Sequence, residues 1–286
     1  MSSTESAILL IYCPDSPGIV AKVTDFLYQY QGNILHLDQH VDTQKNVFFM
    51  RVEWDLEHFT LEKDAIEPAF SPLADVHQMT WKLHYNTDRL RMVIFVSKQS
   101  HALYDILSRW HSGEFKVDIP LIISNHETLR PVAEQFGLPF EVVSVTKDTK
   151  AESETKQLAL LEEAIPDVIV LAKYMQILTD NFVNHYPGKI INIHHSFLPA
   201  FIGAKPYHQA FERGVKIIGA TSHYVTADLD AGPIIVQNVT DVSHKDSVKD
   251  MIRKGKDLEK TVLSSAIYLH LQHRILAYHN KTVVFN

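Results

Sequence analysis

The segment IINIHHSFLP, residues 190–199, combines a run of isoleucines with several polar side chains. The isoleucines predict a buried strand into which the polar residues are set. Side chains two positions apart on a strand share one face of the sheet. Asn192, His194 and Ser196 are therefore expected to point into one site, provided that the extended backbone reaches the serine.

A carboxylate follows in the segment LDAGP, residues 229–233, where glycine and proline predict a turn that contains Asp230. An amide, an imidazole and a carboxylate suit the attack of water on a carbonyl such as that of a formyl group, because they hold the oxygen, move protons and orient the imidazole or the water. Each residue also has a structural alternative. Asn192 can satisfy a backbone group, His194 can be a buried structural histidine, and Asp230 can be an ordinary turn residue.

Together, NIHHSFLP and TSHYVTADLDAGPII resemble the folate-dependent formyltransferase family, and the resemblance extends over residues 89–286. The Asn-x-His motif of the family corresponds to Asn192 and His194, and its aspartate before the glycine turn corresponds to Asp230. The resemblance implies that these three residues are catalytic and that a tetrahydrofolate derivative is the substrate, with no cofactor required. The family usually has proline after the histidine. His195 stands there instead, and strand alternation predicts that it points away from the site.

The same resemblance implies a pterin pocket formed by the segment after a fourth strand and by the turn before Asp230. Its expected folate-contacting residues are Met175, Gln176, Leu178, Val225, Thr226 and Asp228. The first segment also suits a helix start with an apolar face. Ser196 and His223 are candidates for the surroundings of the active site, and His223 suits a structural role equally well.

Alternating apolar runs and amphipathic segments predict a doubly wound, mostly parallel α/β domain over residues 86–286. The predicted strands are 90–96, 117–124, 140–145 and 168–171, and the predicted helices are 102–110, 127–136 and 150–164. From Asp246 onwards we expect two helices, residues 247–254 and 257–278, and a last strand at 283–285. Ligands of such sheets bind outside the carboxyl ends of the strands, where Ser97 and Tyr174 fall.

The first turn of this domain, SKQSH at residues 97–101, contains no glycine. In the glycinamide ribonucleotide transformylases of the family this turn is glycine-rich and holds a phosphate through its backbone. Lys98 can bind an anion there or be an ordinary exposed lysine. The resemblance then favours a hydrolase that acts on a formamide-type C–N bond, converting 10-formyltetrahydrofolate to tetrahydrofolate and formate in one-carbon supply for purine biosynthesis.

Three questions about the reaction stay open at this point. Formyl transfer to an amine acceptor, such as glycinamide ribonucleotide, is the alternative activity. A non-catalytic sensor is a further alternative, which the intact set of Asn192, His194 and Asp230 disfavours. The leaving N10 nitrogen can take its proton from His194 or from water.

Residues 1–85 predict a ferredoxin-like βαββαβ module. The expected elements are strands at 7–12, 34–42, 47–54 and 78–85 and helices at 19–30 and 61–73. The segment CPDSPGIVAKV resembles the start of the ACT domain, which implies an amino-acid effector and a homo-oligomer. The turn from Asp15 to Gly18 offers backbone N–H groups for a carboxylate, or is only a tight connection.

The composition excludes several classes of function. A net charge of −7 and a pI of about 6.2 give no basic surface for nucleic acid. No apolar run approaches the roughly 20 residues of a membrane span, and no signal peptide is recognisable, so a cytoplasmic protein is expected. Cys13 is the single cysteine, and no His-Glu-x-x-His motif occurs, so no metal site is expected.

Overall fold

The computed structural model describes residues 5–199 and 206–285. The strands are β1 Ser6–Pro14, β2 Asn33–Asp42, β3 Val47–Asp55, β4 Thr80–Tyr85, β5 Leu90–Val96, β6 Val117–Ser124, β7 Phe140–Val142, β8 Val168–Ala172, β9 Ile190–His194, β10 Ile217–Tyr224, β11 Ile234–Asp241, β12 Ile275–Tyr278 and β13 Lys281–Val284. The helices are α1 Ile19–Gln29, α2 Lys63–Val76, α3 His101–His111, α4 Arg130–Gln135, α5 Lys150–Ala164, α6 Asp180–His185, α7 Pro206–Arg213 and α8 Val248–Leu271, with a 3-10 turn at Glu127–Leu129. No helix in the described ranges has the length and apolarity to cross a membrane.

The chain divides into two compact units. The first contains the chain up to Asp88, the segment Gln272–Tyr278 and the residues from Val283 onwards. The second contains Arg89–Leu271 and His279–Thr282. Residues 272–278 and those from Val283 onwards therefore return to the first unit. The predicted division into residues 1–85 and 86–286 did not include this return.

The first unit is an antiparallel four-stranded sheet in the order β2-β3-β1-β4. With α1 and α2 it forms the ferredoxin-like βαββαβ arrangement, which confirms the predicted fold. Strand alternation divides β1 between two cores. Leu9 and Ile11 pack in the cluster that contains Trp54 and Phe70, whereas Leu10 belongs to a second cluster.

This second cluster is completed by the end of the chain. Leu10 and Phe49 pack with Phe285, which is 1% exposed, and the Phe49 and Tyr278 ring centroids lie 5.2 Å apart. The backbone N–H of Phe285 donates to the carbonyl of Arg274 at 2.9 Å. The predicted helix over residues 257–278 is therefore wrong at its end, because residues 275–278 form a strand instead of a further helical turn.

The second unit is built on a seven-stranded sheet in the order β11-β10-β9-β8-β5-β6-β7. Strands β5 to β9 pair in parallel, whereas β10 and β11 are antiparallel to their neighbours, which confirms a mostly parallel sheet. Every residue of β8 is buried, as expected for a strand covered on both faces. The carboxyl ends of β5, β8 and β9 therefore lie side by side.

Helix α8 is continuous from Val248 to Leu271, so the predicted interruption after residue 254 is wrong. Gly255 lies within the helix, where glycine is normally unfavourable by about 1 kcal/mol. A Cβ atom at this position would lie 2.0 Å from the Tyr207 hydroxyl oxygen. Glycine is thus required here by the close approach of a tyrosine, and it does not end the helix.

We predict that Phe285→Ala lowers the free energy of unfolding of the first unit by about 3–5 kcal/mol, because it leaves a cavity beside Leu10 and Phe49. Urea unfolding followed by tryptophan fluorescence measures this change, since Trp54 and Trp81 lie in this unit. Tyr28→Ala is the matched control, because Tyr28 is 80% exposed and its loss should change the stability by less than about 0.5 kcal/mol. Equal unfolding midpoints for the two variants would show that the chain end is not part of this core.

Candidate functional site

A cleft of about 300 Å³ opens at the carboxyl ends of β8 and β9. It is lined by residues 173–178 after β8, by residues 192–195 of β9 and its exit, and by His223 with the following turn up to Asp230. This is the edge at which ligands of parallel α/β sheets bind. Asn192, His194 and Asp230, which the sequence singles out, all line this one cleft.

Asn192 is held by the strand opposite. In the β9–β10 ladder Asn192 pairs with His223, and its Nδ2 lies 3.2 Å from Nε2 of that histidine. Nδ1 of His223 lies 2.9 Å from the Tyr224 carbonyl, so this nitrogen carries the proton and Nε2 accepts from the amide of Asn192. An amide nitrogen has two hydrogens, so Asn192 can donate its second one to a ligand.

His194 is oriented by Asp230. Its Nδ1 lies 3.2 Å from Oδ2 of the aspartate, whose Oδ1 lies 3.6 Å from Nε2 of His223. Donation from Nδ1 to the carboxylate places the lone pair of the neutral His194 ring on Nε2. This Nε2 atom is buried and has no hydrogen-bond partner among the residues that the structure describes. It is therefore placed to exchange a proton with a bound molecule.

The turn that carries Asp230 is fixed by its backbone. Asp230 has a φ of 54°, in the left-handed region that aspartate tolerates better than most residues. A Cβ atom on Gly232 would lie 1.9 Å from the Tyr224 carbonyl oxygen, so only glycine fits there. The N–H of Tyr224 donates to the Pro233 carbonyl at 2.9 Å, which holds the turn against the end of β10.

The electrostatics of Asp230 result from two opposing effects. Burial alone would raise the pKa of its carboxyl group, but the hydrogen bond from His194 outweighs burial and lowers this pKa well below its usual range. The aspartate is therefore ionised throughout the neutral range. A fixed negative charge beside two imidazoles favours the tautomer in which His194 is protonated at Nδ1.

The exit of β9 is held by Thr221 of β10. Its hydroxyl donates to the Ser196 carbonyl at 2.9 Å and accepts from the N–H of Leu198 at 3.1 Å. Gln237 of β11 donates to the same hydroxyl at 2.9 Å. Ser196 is buried but does not line the cleft, because β9 ends at His194 and the alternation of faces does not continue to the serine.

Five of the six expected folate-contacting residues line the cleft, namely Met175, Gln176, Leu178, Val225 and Thr226. Asp228 does not line it. Its carbonyl accepts hydrogen bonds from the Ala231 N–H at 3.3 Å and from the Thr226 hydroxyl at 3.2 Å, so the residue shapes the turn. Residues 173–179 are irregular and α6 begins only at Asp180, so the alternative of a helix start at residues 172–178 is wrong.

Two polar residues of the cleft were not anticipated from the sequence. His195 lines the cleft, and its ring lies parallel to that of His194 with 5.0 Å between centroids and 13° between planes. The prediction that it points away is wrong, because it follows the end of the strand and escapes the alternation. Lys173 also lines the cleft and is buried. A lysine directly after the fully apolar strand VIVLA was the available signal.

The turn at residues 97–101 is tied into the protein by its own side chains. The Ser97 hydroxyl donates to Asn125 Oδ1 at 2.7 Å and accepts from the N–H of Met175 at 3.0 Å. His101 Nε2 lies 2.7 Å from a carboxylate oxygen of Glu259. Lys98 is exposed. Ser97 and His101 are thus engaged in contacts within the protein.

The possible effector loop lies in the first unit. The N–H of Asp15 already donates to the Asn46 carbonyl at 2.9 Å, so it cannot serve a ligand. Gly18 precedes α1 with a φ of 92°, a conformation that glycine adopts without strain. Within residues 5–199 and 206–285, no group of three or more potential ligands is placed to hold a metal ion.

Comparisons with known proteins agree with this architecture. A formyl transferase family model matches residues 90–267, and an ACT domain model matches residues 7–66. The chain is 57% identical to a formyltetrahydrofolate deformylase from Synechocystis over 98% of both chains. It is 45% identical to a protein of the same name from Escherichia coli, over 99% of this chain and 100% of the relative.

The crystal structure of a formyltetrahydrofolate deformylase from Pseudomonas syringae matches 100% of this chain and 96% of that chain, with a TM-score of 0.98 and 45% identity. A glycinamide ribonucleotide transformylase from Symbiobacterium toebii matches only 72% of this chain, with a TM-score of 0.66 and 27% identity. The transferase is thus the more distant relative. The chain belongs to the formyl transferase family and, within it, to the formyltetrahydrofolate deformylases that carry an ACT domain.

Proposed function

We propose that the cleft binds 10-formyltetrahydrofolate and hydrolyses it to tetrahydrofolate and formate. The observation that supports this most directly is the placement of Asp230 between two imidazoles, with the buried Nε2 of His194 left without a partner among the described residues. An ionised carboxylate, an oriented imidazole and a primary amide on one wall are the groups that acyl hydrolysis requires.

The substrate binds along the loops that follow β8 and β10. The pterin ring is held between residues 175–178 and 225–230, where backbone groups can form hydrogen bonds with the polar atoms at its edge. Met175, Ile177 and Leu229 are more than half exposed at the cleft and offer apolar surface to the rest of the folate. Asp228 supports this wall through its carbonyl.

In the first chemical step water attacks the formyl carbon. His194 Nε2 accepts a proton from the water as the C–O bond forms, and the Asp230 carboxylate stabilises the imidazolium that results. The formyl oxygen becomes an oxyanion. Asn192 donates its second amide hydrogen to this oxygen, while its first remains bonded to His223. One such donor contributes roughly 3 kcal/mol in related acyl chemistry.

In the second step the tetrahedral intermediate collapses. The carbonyl re-forms, the C–N10 bond breaks, and N10 takes up the proton that His194 received from water. Neutral tetrahydrofolate and formic acid leave, and the acid releases its remaining proton to the solvent to become formate. His194 returns to its starting tautomer with Nδ1 donating to Asp230. The buried Nε2 atom of His194, which has no partner among the described residues, is suited to pass this proton to N10.

Water is the proposed acceptor because the turn that would hold the phosphate of an amine substrate lacks the features of a phosphate site. The turn at residues 97–101 lacks glycine, and His101 is already paired with the buried Glu259 carboxylate.

The ACT domain is proposed to take an amino acid as effector and to assemble the protein as a homo-oligomer. A cavity of about 320 Å³ in the first unit supports binding of a small molecule; it is lined in part by Cys13, Lys45 and Tyr278. The cavity lies beside the loop that leads to Gly18. Burial raises the pKa of the Cys13 thiol to about 11, so the thiol is uncharged there.

We predict that Asn192→Ala lowers kcat by about 10²–10³-fold with little change in KM, because its amide acts mainly on the transition state. Formate release from 10-formyltetrahydrofolate measures the effect. Asn184→Ala, an exposed change on α6, is the control and should keep normal kcat. Normal turnover by a folded Asn192→Ala variant would exclude the amide from the oxyanion site.

We predict that Asp230→Asn lowers kcat by about 10⁴-fold, since an amide in place of the carboxylate favours the wrong histidine tautomer. The same change should alter the stability profile. A carboxyl group with a lowered pKa stabilises the fold above its unfolded pKa of about 3.9 and loses this contribution as the pH falls. Unfolding measured between about pH 5 and pH 2 should therefore show a shallower acid loss in the variant. Identical acid profiles would contradict the ion-paired state of Asp230.

We predict that turnover in ¹⁸O-labelled water, without any amine, places one labelled oxygen in each formate released. Mass spectrometry of formate and the amount of tetrahydrofolate formed give the stoichiometry. Adding glycinamide ribonucleotide should leave the rate unchanged. Turnover that requires the amine would instead establish the transferase alternative.

A further inference from the structure

A buried polar cluster adjoins the catalytic wall of the cleft. Lys173 Nζ lies 3.2 Å from Oε1 of Glu259 and 3.3 Å from Nδ1 of His195. The Tyr207 hydroxyl donates to the same Oε1 at 3.1 Å, and His101 contacts the other carboxylate oxygen. The cluster thus joins the ends of β8 and β9 to helices α3, α7 and α8. Its only members that line the cleft are Lys173 and His195.

The protein maintains this cluster against unfavourable terms. The Lys173 and Glu259 side chains are 4% and 2% exposed, and burying such a pair typically brings no net stability. Lys173 also has a φ of 62°, which is unfavourable by about 1–3 kcal/mol for a residue with a side chain. Gly255 within α8 leaves room for the Tyr207 hydroxyl to reach Glu259. Strain and buried charge concentrated beside a cleft are typical of functional sites.

The cluster fixes the protonation of His195. The ammonium group of Lys173 can only donate, so Nδ1 of His195 is its acceptor and the proton of the neutral ring resides on Nε2. Burial, Lys173 and His194 lower the pKa of His195 to about 4, and the opposing effects of Glu259 and Asp230 are smaller. Tyr207, whose ring centroid lies 6.2 Å from that of His195, is neutral because burial raises its pKa.

The two stacked imidazoles are therefore complementary. His194 has its proton on Nδ1, toward Asp230, and a lone pair on Nε2. His195 has a lone pair on Nδ1, toward Lys173, and an N–H at Nε2. The cleft is thus lined by one ring that can accept a proton and one that can only donate a hydrogen bond at neutral pH.

We propose that His195 is a further catalytic residue, a second hydrogen-bond donor to the formyl oxygen beside Asn192, and that Lys173 and Glu259 are positioning residues that hold and polarise it. The inference rests on the proposed hydrolysis. His195 transfers no proton. Its Nε2–H bond strengthens toward the formyl oxygen as the oxyanion forms, and the positive charge behind Nδ1 makes this N–H a stronger donor.

The first test compares His195→Gln with His195→Leu in the full chain, by formate release from 10-formyltetrahydrofolate. Glutamine keeps a side-chain N–H donor, so kcat should stay within about tenfold of normal, whereas leucine should lower kcat by about 10²–10³-fold at similar KM. His185→Leu, an exposed change on α6, is the control and should behave as the unmodified protein. Equal losses in both His195 variants, or no loss in the leucine variant, would overturn the donor role.

The second test removes the charges behind His195. In Lys173→Met/Glu259→Met the ion pair is replaced by apolar side chains of similar size, which typically preserves the fold. We expect kcat to fall about tenfold with KM unchanged, because a charge-assisted donor is roughly twice as strong as a neutral one. Lys260→Met, on the same helix with a side chain that is 35% exposed, is the matched control. Unchanged kcat in the double variant would remove the polarising role.

The third measurement reads the tautomer directly. The ¹⁵N NMR signals of the His195 ring, identified by their loss in His195→Gln, should show a neutral ring protonated at Nε2 that does not titrate between about pH 5 and 8. Protonation at Nδ1, or titration near pH 6.5, would overturn the assignment. A protein that releases formate normally while failing these tests loses only the role of His195. A protein that releases no formate loses the proposed function itself.

Discussion

The Asp230 carboxylate is stable as an anion inside the protein because His194 donates a hydrogen bond to it. Burial raises the pKa of such a group, and this hydrogen bond reverses the effect. The same contact orients the His194 ring, while the neighbouring His223 orients the amide of Asn192. The protonation and the position of His194 are thus coupled, and both depend on one side chain on a left-handed turn.

The antiparallel ladder between β9 and β10 supplies the geometry that this arrangement needs. It places Asn192 opposite His223 and His194 opposite Thr221. Gly232 fixes the turn that follows β10, and this turn brings Asp230 to His194.

Much of the fold was accessible from the sequence. Strands β5 and β6 and helix α5 were predicted at their observed bounds, because long apolar runs and amphipathic segments leave few alternatives. The C-terminal region was less accessible. The helix was predicted through residues 275–278, since the segment ILAY suits a helix as well as a strand until its pairing is known.

In the candidate site, too, local sequence patterns predicted some residues and missed others. Asn192, His194 and Asp230 were predicted to converge, and the structure places them in one cleft, because strand alternation and turn chemistry are local rules. Ser196 and His195 lie beyond the last residue of β9, where alternation no longer applies. Lys173 and Glu259 meet across 86 positions of the chain. A contact of that kind depends on packing and has no local pattern.

The return of residues 283–285 to the first unit affects the order of biosynthesis. Leu10 and Phe49 are translated before the second unit, whereas Phe285, which covers them, is translated after it. One face of the N-terminal sheet therefore stays apolar and uncovered while the whole catalytic unit is translated. Nascent chains are expected to depend on chaperones or on pairing with another copy during this interval, and premature termination should yield aggregation-prone fragments.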